Sequence, residues 1–276
     1  MSKNKDAKVI ENNRGQRDNN TGRTISIFKQ YFENHRTGYG ILMVLFFWYI
    51  IHYFLQSSVV PAPHHTIIHA FEIFLDNLWI HLLSSLGRIL AAILISLLLG
   101  VSTGLFLGMN KKFDRLFTPV VYILYPIPKI AFLPVLMILL GLGDLPKVLL
   151  ITIIIIFQII VTTRDAVRAL SKELFYSVKS LGMNKRQTYR HMIIPAVLPK
   201  ILTSLRISVG TSVAVLFFAE NFATQYGIGY FIMNSWSTVN YLSMFSGILV
   251  LSLMGLGLFK LIDFLESKLC AWVSVS

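Results

Sequence analysis

The chain has 276 residues, of which 55% are hydrophobic and only 14% charged, and its formal charge is +12 at pH 7. Soluble domains carry about 25% charged residues, so this composition excludes an ordinary soluble globular protein and points to a bilayer. One cysteine, Cys270, excludes an internal disulfide.

The first 38 residues are polar, Asn-rich and basic, with Lys3, Lys5, Lys8, Arg14, Arg17 and Arg23. No apolar core follows those charges closely, so a cleavable signal peptide is not expected, and 1–38 reads as a flexible cytoplasmic tail. Residues 39–55 form a first apolar block, with Trp48 and Tyr53 suited to a membrane interface. An external segment to residue 81 carries His64, His65, His69 and His81. Zinc would use such residues, but a short interfacial helix with solvated imidazoles accounts for them more simply.

A second span is predicted over 82–109, where Gly100, Gly104 and Gly108 make two GxxxG steps that permit close helix packing. Arg88, near its external start, is expected to snorkel to headgroups. A third span, 116–140, is interrupted by Pro126, Pro128 and Pro134 and contains Lys129. A charge at that depth faces a cavity or the subunit interior, which makes Lys129 a candidate for the translocation pathway of an anion. The fourth span is 148–163. The fifth is 207–219, with a start as early as 198, and Glu220 at its end is a candidate gate or structural anchor. The sixth is 242–262, where Gly255 and Gly257 are read as packing glycines. Each block is long enough, or nearly so, to cross about 30 Å of hydrocarbon.

Of the 25 Lys and Arg residues, 22 fall in segments on one side of this six-span scheme. The positive-inside rule then places both termini in the cytoplasm and explains the positive charge without nucleic acid. Five or seven spans would break that alternation.

The richest basic segment is 164–206. Leu170, Leu174, Val178 and Leu181 recur at helical spacing, giving one apolar face. Gly182 is placed to stop that helix, Asn184 to cap a second, and Pro195 and Pro199 to end or kink it. The result is a helix–turn–helix knob at the cytoplasmic face. Asp165 and Glu173 read as solvated or capping carboxylates beside it.

Here the sequence resembles the coupling loop of binding-protein-dependent ABC importer permeases: E-A-A, three residues, Gly, nine residues, Ile, one residue, Leu-Pro. Gly182 matches the glycine and Pro195 the proline, while Met192 and Ile194 stand where Ile and Leu are usual. The E-A-A triplet falls on Tyr176, Ser177 and Val178, a departure that weakens the usual acidic contact. Segments 85–108, 126–148 and 219–232 are similar to the nitrate, sulfonate and taurine branch, so the resemblance runs from about residue 82 to the C-terminus. It implies an all-α, type I ABC importer permease fold with a transmembrane domain over 82–270, a first helix and external loop over 39–81, and a tail over 271–276. It also implies a second permease copy, a cytoplasmic ATPase dimer, an extracellular or periplasmic solute-binding protein, and alternating access for a small anion.

No GxxxxGK[ST] motif is present, so ATP is expected on the partner rather than on this chain. No paired carboxylates, Ser-His-Asp order or Cys/His cluster stands out, so neither a catalytic centre nor a metal site is expected. A secondary transporter driven by an ion gradient is the main alternative, and it would call for inverted repeats and intramembrane carboxylates. A membrane enzyme would need a polar catalytic cluster, and a non-transporting scaffold remains the blandest reading.

Overall fold

The computed structural model describes residues 36–272, and every regular element in that range is helical. The segments predicted as tails lie outside it, apart from residues 36–38 and 271–272. By internal contacts the chain divides into two units, 1–63 and 64–276.

In the first unit, α1 (Arg36–Leu55) is apolar on every side, as a helix in lipid requires. After it the chain folds back on itself: the Trp48 indole donates to the Pro61 carbonyl at 3.2 Å, and His52 Nδ1 lies 2.7 Å from the Val60 carbonyl.

The second unit begins within α2 (Pro63–Ile73). A π-turn, Phe74–Leu78, joins it to α3 (Trp79–Met109), making one helix of 47 residues. The external segment is therefore mostly a helical extension of span two, not a separate short interfacial helix. Its histidines do not gather: His69 meets Ser243 at 2.9 Å, while His81 lies at the Gly227 backbone. No group of three metal-ligating side chains occurs among the described residues.

Span three is not one straight crossing. α4 (Lys111–Leu124) and the following pair, a 3-10 turn over Lys129–Phe132 plus α5 (Leu133–Leu140), bend by 81°. Pro126 and Pro128 cannot donate backbone hydrogen bonds, so the helix breaks there. α6 (Asp144–Arg168) follows, then α7 (Lys172–Ser180) and α8 (Lys185–Thr188). A π-turn, Tyr189–Ile193, leads into α9 (Ile194–Glu220), and α10 (Ile228–Ser237) and α11 (Tyr241–Leu269) end the bundle. Among the described residues five helices are long and apolar enough to cross a membrane, and the crossings number six if the bent pair counts as one.

The prolines after the knob do not end its second helix. Pro195 sits in the first turn of α9, where no backbone donor is needed, and the π-turn carries the chain into the span. Span five thus begins well before residue 198.

The core is built on α3 and α6, the most extensively paired helices. A Cβ on Gly104 would lie 2.6 Å from Thr163 Cβ, and one on Gly108 would lie 2.6 Å from Val167 Cβ. The predicted glycine stripe is therefore the seam itself. Gly255 and Gly257 form no such seam within the chain: a Cβ on Gly255 would meet only Val213, at 3.8 Å, and one on Gly257 nothing within 4 Å. Around the seam Ile89, Leu150, Ile151, Ile155, Val209 and Leu216 are buried. Arg206 brackets α9 to α11 by pairing with Asp263 and with Glu266.

Candidate functional site

The knob is locally over-determined. Gly182 has φ +69°, and the turn after α7 carries two bonds, Gly182 N–H to the Lys179 carbonyl (3.0 Å) and Met183 N–H to the Val178 carbonyl (3.3 Å). This is a Schellman ending, which needs a left-handed residue where Gly182 stands. Asn184 then opens α8 with a complete capping box: Gln187 N–H donates to the Asn184 side chain, and Asn184 N–H to the Gln187 side chain. The Glu173 carboxyl, in the first turn of α7, is held below the usual carboxylate range by its own backbone N–H and then by Ser171.

The predicted inner face of α7 is only half right. Leu170 and Val178 do pack inward, but with Phe175, against Val167, Met192, Ile193 and Val197. Leu174 and Leu181 face outward instead, with Leu181 76% exposed. Within the degenerate triplet, Tyr176 and Ser177 are exposed and Val178 is half-buried. The outer surface of the knob thus presents Leu174, Tyr176 and Leu181 among basic side chains. Pro195 is half-buried at the base. The cluster under the knob also takes in Leu97, Val101, Leu105 and Met109 of α3. The knob therefore rests on α3, α6 and α9 together.

At the opposite end of the bundle lies a buried ionic cluster that sequence reasoning largely missed. Glu220 is fully buried, and its carboxylate accepts from Ser85 Oγ (2.8 Å), from Arg88 Nη1 and from Gly229 N–H (2.7 Å). Arg88 is itself only 7% exposed and pairs with Asp144 at 2.7 Å on its other side. The expected snorkelling of Arg88 is thus overturned, since Glu220 and Asp144 offer better partners than headgroups. Lys147, also fully buried, donates to the carbonyls of Gly143 (2.9 Å) and Ala223 (3.3 Å). Every Glu220 oxygen is occupied within the chain, the arrangement that the anchor reading calls for. Arg88 lies 56 positions from Asp144 and 132 from Glu220 in the sequence, so a single sequence offers no spacing signal for either pair.

Lys129 stands at the break between α4 and α5. Its ammonium donates to the Tyr125 carbonyl at 3.1 Å and lies over the rings of Tyr125 (5.6 Å) and Phe157 (5.4 Å). No carboxylate pairs with it among the described residues. At the foot of the same region Asp114, only 5% exposed, pairs with Arg168 at 2.6 Å and approaches Arg164 at 3.5 Å.

An all-helical membrane bundle with a rigid helix–turn–helix projecting from its basic end is the architecture of a transporter's membrane subunit. Residues 92–269, more than half of the chain, match the family model "Binding-protein-dependent transport system inner membrane component", and the chain belongs to that family. It is a permease of an ABC importer, which sets aside the secondary-transporter alternative. Among curated relatives, the taurine transport system permease protein TauC of Escherichia coli (strain K12) is 29% identical over 200 residues, covering 72% of this chain and 73% of the relative. The formylaminopyrimidine transport permease protein ThiX of Halalkalibacterium halodurans is 28% identical over 235 residues, covering 84% and 93%. Among solved structures, the inward-facing MetNI methionine ABC transporter matches with a TM-score of 0.58 at 19% identity, over 73% of this chain and 96% of that one. That likeness is one of fold.

Proposed function

We propose that this permease imports a small anion of the sulfonate, taurine or nitrate kind across the cytoplasmic membrane, working as one of two copies, with both termini in the cytoplasm. An ATPase dimer on the cytoplasmic side holds the two knobs and binds the ATP, and a solute-binding protein delivers substrate to the other face. The observation that carries this reading is the knob: a Schellman turn at Gly182 followed by a capping box at Asn184, with its apolar inner face on the same cluster as α3, α6 and α9. Such a lever is stiff enough to convert closure of a partner dimer into tilting of the spans. Tyr176, Ser177 and Gly182 are the partner-facing residues of this reading, with Val178 and Pro195 as its internal supports. The similarity to TauC favours a sulfonate such as taurine, while the longer alignment to ThiX supports a second reading, a formylaminopyrimidine. Ligand binding to the cognate solute-binding protein separates the two.

The coupling role is tested at Gly182. A Cβ there would meet nothing within 4 Å, so a side chain costs only the left-handed backbone, about 1–2 kcal/mol. Gly182→Asn, which tolerates that conformation, is expected to retain most ATP-driven uptake in proteoliposomes. Gly182→Arg is expected to lose it while inserting normally, because bulk at the apex obstructs docking. Uptake by Gly182→Arg equal to wild type, at equal expression, would remove the knob from coupling.

A further inference from the structure

Beside the α3–α6 seam, a groove of about 510 Å³ runs between α4 and α6, lined by Tyr122, Tyr125, Gln158, Thr162 and Arg164 among others. A second hollow of about 630 Å³ adjoins it, shares Thr118 and Arg164, and adds Lys111, Arg115 and Arg168. Phe157, which carries the Lys129 ammonium on its ring, lies near the middle of α6. Arg164 is seven residues further along, so about 10 Å separate the two levels.

Three features single this groove out. First, Gln158 sits half-exposed in the middle of a span and has no hydrogen-bond partner among the described residues. An amide turned into hydrocarbon in that state costs about 2–7 kcal/mol, so Gln158 marks a point that calls for a polar partner in a lining that is otherwise mainly apolar. Thr162, one turn further on, continues the same face. Second, cations stand near both ends: Lys129, outside the lining itself but held on the carbonyl of the lining residue Tyr125 and without a carboxylate partner among the described residues, and Arg164 with Lys111, Arg115 and Arg168 at the mouth. Asp114 and Asp165 offset only part of that charge. Third, the volume is of the size that holds a small solute.

We propose that this groove is the inner half of the substrate path, in which a small anion passes from Lys129 past Tyr125 and Gln158 to Arg164. Its charge, amide and hydroxyl donors replace water around an oxyanion, and the basic mouth draws it towards the cytoplasm. The assignment rests on the anion reading given above.

The test uses cysteine access in the full complex, with permease, ATPase and solute-binding protein in vesicles. Cys270→Ala removes the one native thiol, which is buried. Gln158→Cys and Thr162→Cys are then treated, without nucleotide, with an anionic and a cationic methanethiosulfonate of similar size. Both are expected to label, the anionic reagent about tenfold faster because the groove focuses a positive field. Adding Lys129→Gln should shrink that ratio at Gln158→Cys more than at Thr162→Cys. Labelling only by a lipid-soluble maleimide would mean that an acyl chain fills the groove, and equal rates for the two charged reagents would mean that it selects no anion; either overturns the proposal. Uptake of taurine by the Cys270→Ala complex is measured in the same vesicles. Its absence together with a retained anionic preference would count against the sulfonate substrate and leave the groove standing.

Discussion

Replacing Glu220 by alanine is expected to destabilise the permease by about 3–5 kcal/mol, the typical cost of removing one partner from a buried ion pair. The Arg88 guanidinium would then stay buried with Asp144 alone, and the Ser85 hydroxyl and Gly229 N–H would each lose an acceptor. The damage spreads because Glu220 also fixes a turn: a Cβ on Gly229 would lie 3.0 Å from Glu220 Cβ, so the start of α10 is moulded around this side chain. In detergent, apparent Tm should fall by roughly 10 °C. Glu220→Gln keeps an acceptor for Gly229 and should lose about half as much. Joint replacement, Arg88→Met with Glu220→Leu, should recover part of the alanine loss, since an apolar pair of similar volume avoids the unpaired charge. If Glu220 instead lined the path, the alanine variant would change apparent substrate affinity at unchanged Tm. That outcome would sink the anchor assignment.

The spans were legible in the sequence because lipid imposes a one-sided rule: apolar length and Lys/Arg sidedness suffice to count crossings. The Gly100–Gly104–Gly108 stripe was legible for the same reason, as only close packing explains small residues at that spacing. Gly182 and Asn184 were readable because capping chemistry is local. What the sequence concealed was set by distant partners. Arg88 looks like a snorkelling residue until Glu220, far along the chain, is seen beside it. Lys147 looks like a loop charge until the Gly143 and Ala223 carbonyls converge on it. Leu174 and Leu181 obey helical periodicity yet point outward, because Phe175, off the predicted stripe, fills the site over Met192 and Val197. Pro195 by itself signals the end or a kink of a helix, but a proline in the first turn of a helix is a start. Gln158 carried no signal among the isoleucines of α6, and only the groove makes its amide conspicuous.

The seam between α3 and α6 gives the other large expectation. A Cβ on Gly104 would stand 2.8 Å from the Ile160 carbonyl oxygen and 2.6 Å from Thr163 Cβ, and backbone cannot swing aside as a side-chain tip can. Gly104→Ala must therefore push the helices apart, and overpacking of this kind costs about 1–3 kcal/mol. In a bilayer the loss is hard to recover, because close packing rather than the hydrophobic effect holds such helices together. Gly100→Ala should cost less, since its nearest obstacle is the Ile159 Cγ2 methyl at 2.9 Å. Gly87, on the same helix, has nothing within 4 Å of a built Cβ, so Gly87→Ala should be neutral or gain up to about 1 kcal/mol from helix propensity. Thermal stability of the three variants in detergent should thus rank Gly87→Ala above Gly100→Ala above Gly104→Ala. Uptake should fail most at Gly104→Ala, because the seam also positions Arg164 and the knob's supporting cluster. Equal stability for Gly104→Ala and Gly87→Ala would show that the seam is looser than drawn, and α6 could then not carry motion from the knob as a rigid rod.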